Sequence, residues 1–318
     1  MSTAIMIVTR GVSIGLMYGV VALGFVVVYR ATRVLNFAHG ALGAAGGVVM
    51  ASMVGDGGLG IERWRGANPL GRYAGSLVGW AANLALAAVL AACLAMVVER
   101  VAVRPMLGRG QFSLLLVTIG ASIPLQVFTD RAPIPRALHA PWPTESWVVR
   151  GAVVHRSHLA MVLIAVAAIV LVMLFDRTRL GLMTRAVGDD QEAAESVGIS
   201  VATVSRANWA LAGALATLAA VGLSLFPEGT GAVSSANIPG LFFRALPILA
   251  LGGWDSPRGA IVGGIVIGLI QTAAGMLLSG HIDILGAGYP AILPYVIAVA
   301  VLAVRPTGLF GAREVRRI

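Results

Sequence analysis

The sequence predicts an all-α fold, a polytopic bundle of about eight to nine transmembrane helices. Three observations predict it. The chain of 318 residues is 58% hydrophobic and only 12% charged, with a mean hydropathy of +0.88. A soluble domain carries about twice that share of charge. Eight runs without Asp, Glu or Arg are long enough to cross a bilayer, for which about 20 residues suffice. A backbone in hydrocarbon must satisfy its own hydrogen bonds, so these runs are read as helices. Small residues recur at four-residue intervals within them, a spacing that lets helices pack closely in a membrane.

The first run, 11–29, carries Gly11, Gly15 and Gly19. No basic segment and no small-residue cleavage site precede it, so it is read as a retained span. The second run, 34–55, opens on Asn36-Phe37-Ala38-His39-Gly40 and repeats Gly43 and Gly47. Asn36 and His39 are three apart and are read on one helix face. Two roles compete for them, a hydrogen-bonded pair between helices or the lining of a gate. The third run, 73–98, contains Cys93, the single cysteine, which rules out an internal disulfide. The fourth, 110–129, places Thr118, Ser122 and Gln126 within a span as candidate pathway-lining residues. Between it and the fifth run, 157–175, Trp147-Val148-Val149, a turn at Arg150-Gly151, and Val153-Val154 read as a small hairpin on the outer surface.

The interval 176–206 then interrupts the apolar pattern with nine charged residues. Gly188 and Gly198 bracket a short acidic helix, with Asp189 as its expected cap and Glu192 completing a capping box. Ala186, Val187, Ala193, Ala194 and Val197 form its apolar stripe, surrounded by Asp189, Asp190, Glu192 and Glu195. Such a helix suits docking to a soluble partner or lying against headgroups. Its acidic residues disfavour an anionic lipid surface. The sixth run is 207–227. A shorter one, 241–253, contains Arg244. The turn that follows is punctuated by Gly253 and Pro257, with Asp255 and Arg258 placed to pair across it. Runs 259–282, with Gly259 and Gly263, and 284–304 complete the bundle.

All 23 basic residues are Arg, giving a net charge of +9. They are scattered over short loops, which fits orientation in a membrane better than nucleic-acid binding. With the 176–206 loop in the cytoplasm and 241–253 crossing, there are nine crossings. Then 14 Arg lie inside, eight outside and Arg244 within a span. Without that crossing the count is eight and the C-terminal tail moves outside. The chain shows no phosphate-binding P-loop, no nucleophile in a recognisable setting and no metal-ligand cluster among its five scattered His. No catalytic role is expected.

Five segments in order resemble the permease subunit of bacterial high-affinity branched-chain amino-acid ABC transporters. They are Asn36–Gly40; Glu99-Arg100 with Arg104-Pro105; the Ala186…Asp190…Ala193…Gly198-Ile199 loop; Leu251–Gly264; and Arg305–Gly311. The resemblance covers nearly the whole chain. It implies a single permease domain, 1–318, in the bacterial inner membrane, with 176–206 as a cytoplasmic coupling loop. Arg185, Asp189, Asp190, Glu192, Ala193 and Gly198 would then engage the ATPase. The implied partners are a second permease subunit, identical or different, two cytoplasmic ATPase subunits, an extracytoplasmic substrate-binding protein and membrane lipid. ATP and Mg would sit in the ATPases, with no cofactor in this chain. A longer, Arg-rich 55–72 loop and the Trp254-Asp255 pair depart from the family pattern. Urea or short-amide importer permeases share these motifs. A secondary transporter or channel is the rival from another class; it calls for an intramembrane acidic residue for ion coupling, and none lies in the eight runs.

Overall fold

The computed structural model describes residues 2–54, 75–106, 109–131, 136–138, 140–142, 146–225, 232–233, 238–278, 280, 288–305 and 308–310. The 55–72 loop, His139, His281 and residues 311–318 lie outside the described residues.

Two helices form the axis of the bundle. α1 (Ser2–Thr32) and α8 (Val201–Ser224) are buried along most of their length. Around them stand α2 (His39–Val54), α3 (Leu77–Val98), α4 (Gln111–Arg131), α5 (Arg156–Arg177) and α11 (Pro257–Leu277). The last four expose one face of Val, Leu, Ile and Phe. In water such a face would be a liability, whereas lipid covers it at no cost. Among the described residues, six helices are long and apolar enough to cross a membrane, and α2 and α12 (Tyr289–Val304) are shorter apolar helices. The all-α polytopic reading therefore holds.

The helix seams are built from glycine. A Cβ on Gly15 would lie 2.7 Å from the Gly264 carbonyl oxygen, and one on Gly11 2.9 Å from the Leu269 Cα. α1 and α11 thus touch backbone to backbone. The sequence pattern marked Gly11, Gly15 and Gly19 as a packing stripe without naming the helix they meet. Gly264 and Gly268 face α1, whereas Gly259 meets Gly252 and Gly263 meets Ile248.

The remaining elements fix the two ends. The hairpin forms as expected from β2 (Ser146–Val149) and β3 (Ala152–His155), with Trp147 opposite Val154. Arg150 and Gly151 at its turn have φ of 50° and 79°, the two left-handed residues of a tight hairpin turn. β1 (Arg136–Ala137) pairs with β4 (Ala232–Val233). From β4 the chain descends through α9 (Ile238–Phe243) and α10 (Ala245–Gly252), which meet at Arg244. It reaches a turn whose Asp255, Ser256 and Pro257 share a cavity with Arg30, Asp176 and Arg185. The 238–252 segment thus runs from one end of the bundle to the other, as the nine-crossing arrangement requires. The Leu309 N–H donates to the Leu251 carbonyl oxygen (2.7 Å), which places the chain after α12 at that same end. Asp255 and Arg258 form no ion pair among the described residues; they line this cavity together instead.

Candidate functional site

The second span does not start as a helix. After α1 the chain reverses at Arg33, which has φ of 54° and whose N–H donates to the Tyr29 carbonyl oxygen (2.7 Å). It then re-enters the bundle non-helically, and α2 begins only at His39. Bare backbone at this depth is tolerable only if protein satisfies it. Thr118 of α4 does so: its hydroxyl accepts from the Phe37 N–H (3.3 Å) and lies 3.3 Å from the Leu35 carbonyl oxygen. The Asn36 side-chain oxygen accepts from the Ala38 N–H (3.0 Å), an Asx turn that launches α2. Asn36 and His39 therefore do not share a helix face, because Asn36 precedes the helix. Both are fully buried.

His39 stands between Phe25 and Phe242, ring centroids 4.8 and 5.0 Å away, both edge to face. Its imidazole lies against Gly24 of α1, where no side chain would fit. Neither ring nitrogen has a hydrogen-bond partner among the described residues, and neither does the Asn36 amide nitrogen.

Beside this cluster is a cavity of about 340 Å³. Its walls are Phe25 of α1, Phe37, Gly40 and Ala41 at the start of α2, Ile119, Ser122 and Gln126 of α4, and Phe242 and Phe243 of α9. Phe25 lies five residues before Arg30 and Ser122 eleven residues into α4, so the cavity is roughly 8–17 Å inside the bundle end. Its polar edge is short: the Gln126 amide donates to the Ser122 hydroxyl (3.4 Å), which donates to the Ile119 carbonyl oxygen (2.7 Å). Of the expected pathway residues, Ser122 and Gln126 line this cavity, while Thr118, Asn36 and His39 hold its floor and wall.

Sequence reasoning missed the aromatic wall and the charge near it. Arg244 follows Phe243, and its guanidinium donates to the Tyr18 hydroxyl (2.8 Å). Tyr18 and Phe25 are seven residues apart, on one face of α1. Tyr18 lies twelve residues before Arg30, so the Arg–Tyr pair sits about 18 Å inside the same end, level with the outer part of the cavity. An intramembrane Arg was the available signal. Glu99 was missed as well. It is fully buried in a π-helical turn (Glu99–Val103) continuing α3, near Ser205 and the charges of Arg206, Arg104 and Arg100.

At the end assigned to the cytoplasm, the 176–206 loop folds as two helices, not one. α6 (Arg179–Asp189) and α7 (Gln191–Ser196) meet at Asp190. Asp190, not Asp189, caps α7 by accepting from the Ala193 N–H (3.0 Å). Asp189 is the last residue of α6 because that ladder runs on to the Asp190 N–H. Glu192 is consequently one position short of a capping box. Gly188 lies inside α6, whereas Gly198, at φ 85°, ends α7 in the left-handed conformation glycine adopts freely. Of the expected apolar stripe, Val187 and Ala194 are buried with Ala31, Val201 and Val204. Ala193 is exposed and Val197 is 75% exposed. The outward face thus carries Asp189, Asp190, Glu192, Glu195 and Val197. A cleft of about 630 Å³ adjoins it, between Arg104 and residues 191–202. Arg185 points elsewhere, reaching the Asp176 carbonyl oxygen (3.3 Å).

An interrupted span and a partly polar cavity at membrane depth fit a membrane transport protein, and the acidic helix between spans leaves an exposed face. The comparisons narrow this further. A family model described as "Branched-chain amino acid transport system / permease component" matches residues 7–304. The chain belongs to that family and is the permease subunit of an ABC importer, an integral protein of the bacterial inner membrane. LivH of Escherichia coli, a high-affinity branched-chain amino acid transport system permease protein, is 26% identical over 97% of this chain and 96% of its own. BraD of Pseudomonas aeruginosa, described in the same terms, is also 26% identical over 97% and 96%. The nucleoside ABC transporter permease protein NupC of Lactococcus lactis is 32% identical over 44% and 43%. No solved structure matches the chain.

Proposed function

We propose that this permease carries branched-chain amino acids inward, with the cavity between α1, α2, α4 and α9 as their station. The single observation that carries this reading is the cavity's chemistry. Four Phe side chains make an apolar wall for an aliphatic side chain, and Ser122 and Gln126 offer polar groups on one edge. A ligand site of a few hundred Å³ with few polar groups is the usual form for a small molecule. Arg244, level with its outer part, supplies the positive charge that a carboxylate seeks on its way in.

In this reading the chain is one half of a pathway completed by a second permease subunit. Two cytoplasmic ATPases bind ATP and Mg and carry out hydrolysis, and an extracytoplasmic binding protein delivers substrate. This chain holds no cofactor of its own. The acidic face of α7, with Asp190 and Glu192, docks into the ATPase. Asn36, His39 and Thr118 shape the gate below the cavity.

The test is uptake by the reconstituted importer with its ATPases and binding protein. Labelled leucine is compared with labelled urea and a labelled nucleoside. ATP-dependent leucine uptake that the other two do not compete for is the expected result. Urea or nucleoside uptake without leucine uptake overturns the substrate.

A further inference from the structure

The cytoplasmic end carries a second, differently built cavity of about 550 Å³, enclosed by α1, α5, α6 and the start of α11. Its inner wall is apolar, with Leu23, Ile169, Val172 and Ile261. Its rim carries Arg30, Arg177, Arg185 and Arg258 against Asp176 and Asp255, an excess of two positive charges. Asp176 is held by Arg30, at 3.2 Å. Arg177 and Arg258 are exposed. Leu23 and Ile169 each lie seven residues before their own rim residue, Arg30 and Asp176. The cavity therefore reaches about 10 Å from the headgroup level into the hydrocarbon.

We infer that this cavity holds an anionic phospholipid of the inner leaflet, with its phosphate at Arg177 and Arg258 and an acyl chain along Leu23, Ile169 and Ile261. Depth and charge together select that occupant. A soluble anion matches the rim but leaves the apolar wall unfilled. A zwitterionic lipid fills the wall but does not answer the excess charge. A cytoplasmic protein does not reach 10 Å into the bilayer. Basic pockets between helices on the cytoplasmic side are the places where anionic headgroups bind. The start of α11, where Pro257 has no N–H and the Ser256 hydroxyl takes the Gly259 N–H, adds a favourable helix dipole beside Arg258. The lipid would sit against α6 and the end of α1, both of which connect to the docking loop.

The experiment uses the assembled importer, purified in neutral phosphatidylcholine nanodiscs into which phosphatidylglycerol is titrated. Lipid retained by the protein is read by native mass spectrometry, and stability by thermal unfolding. The expected result is preferential retention of phosphatidylglycerol, weakened about fivefold by Arg258→Gln, as a single basic residue near the surface contributes. Arg258→Lys should retain most of the preference. Arg109→Gln, the same charge change outside the cavity, should leave it intact. Arg177→Gln repeats the test independently should Arg258→Gln fail to assemble. Equal retention of the two lipids, or an equal loss in Arg109→Gln, overturns the proposal. So does full competition by glycerol phosphate, which would show a headgroup-only anion site, or an assembled complex from which another subunit excludes the lipid.

Discussion

Arg244 gives the sharpest test of how substrate travels. Its guanidinium sits at the junction of α9 and α10, 2.8 Å from the hydroxyl of Tyr18, a residue only 1% exposed. In Arg244→Gln the phenol keeps a neutral partner but the pathway loses its positive charge. A hydrogen bond to a charged group contributes about 1.5–3 kcal/mol. If a substrate carboxylate leans on Arg244 during passage, kcat/KM for leucine should fall roughly 10- to 150-fold. Arg244→Lys keeps the charge without the planar fork and should fall between wild type and Gln. Tyr18→Phe leaves Arg244 charged and should cost less than Gln. The assay is uptake by proteoliposomes at matched complex content, with ATPase co-purification as the check on assembly. Leucinamide, which lacks the carboxylate, separates recognition from structure: wild type should prefer leucine, and Arg244→Gln should lose that preference. Wild-type leucine kinetics in an assembled Arg244→Gln complex would refute the reasoning.

Four further changes probe the rest of the site. Gly24→Ala drives a methyl group into the His39 ring and should destabilise by about 1–3 kcal/mol; His39→Ala should relieve most of that in the double variant, read by thermal unfolding. Thr118→Val removes the hydroxyl that satisfies the Phe37 N–H and should cost about 1–3 kcal/mol, with uptake falling more than assembly. Asp190→Ala strips the α7 cap, worth about 1 kcal/mol, and should lower ATPase co-purification, while Asp190→Asn keeps the cap and isolates the loss of charge. Asp176→Asn weakens the tie to Arg30 and should leave ATP hydrolysis in place while reducing uptake per ATP.

The bundle was legible because membrane spans announce themselves by composition. Helix bounds were less so where geometry overrides hydropathy. The run 34–55 holds no Asp, Glu or Arg, yet only residues 39–54 form a helix, because Thr118, 81 residues beyond Phe37, satisfies the non-helical approach. In the 176–206 loop, Asp189 is the expected cap because Glu192 follows three residues later, yet Asp190 takes that place. The choice fell to the α6 ladder, which continues for one more hydrogen bond. Glycine spacing marked α1 as a packing helix but not its partner, since a four-residue repeat on one helix fits several others. Ser122 and Gln126 could be named as polar residues in a span. The four Phe around them could not, because an aromatic residue in an apolar run carries no sign of whether it faces lipid, core or cavity. Arg244 did carry such a sign.

The arrangement also indicates how events at α7 could reach a cavity in the bilayer. α1 is the link. At its cytoplasmic end Arg30 grips Asp176 where α5 gives way to α6, and just beyond it the Arg33 side chain donates to the Gly188 carbonyl oxygen (2.6 Å). Both ends of α6 are thereby tied to one point on α1. Along the same helix lie Phe25, which walls the cavity, Gly24, which seats His39, and Tyr18, which holds Arg244. Behind it, the glycine contacts with α11 remove the interlocking side chains that would resist a slide. A pull on α6 by a docked ATPase would thus act on α1 before any other span. Moving Gly24 against His39 would shift Phe25 and Phe242 together, because the imidazole sits between them. Small displacements at packed rings change a cavity in steps and not smoothly. In the proposed reading, the His39 cluster is where a cytoplasmic stroke would become an open or closed pathway.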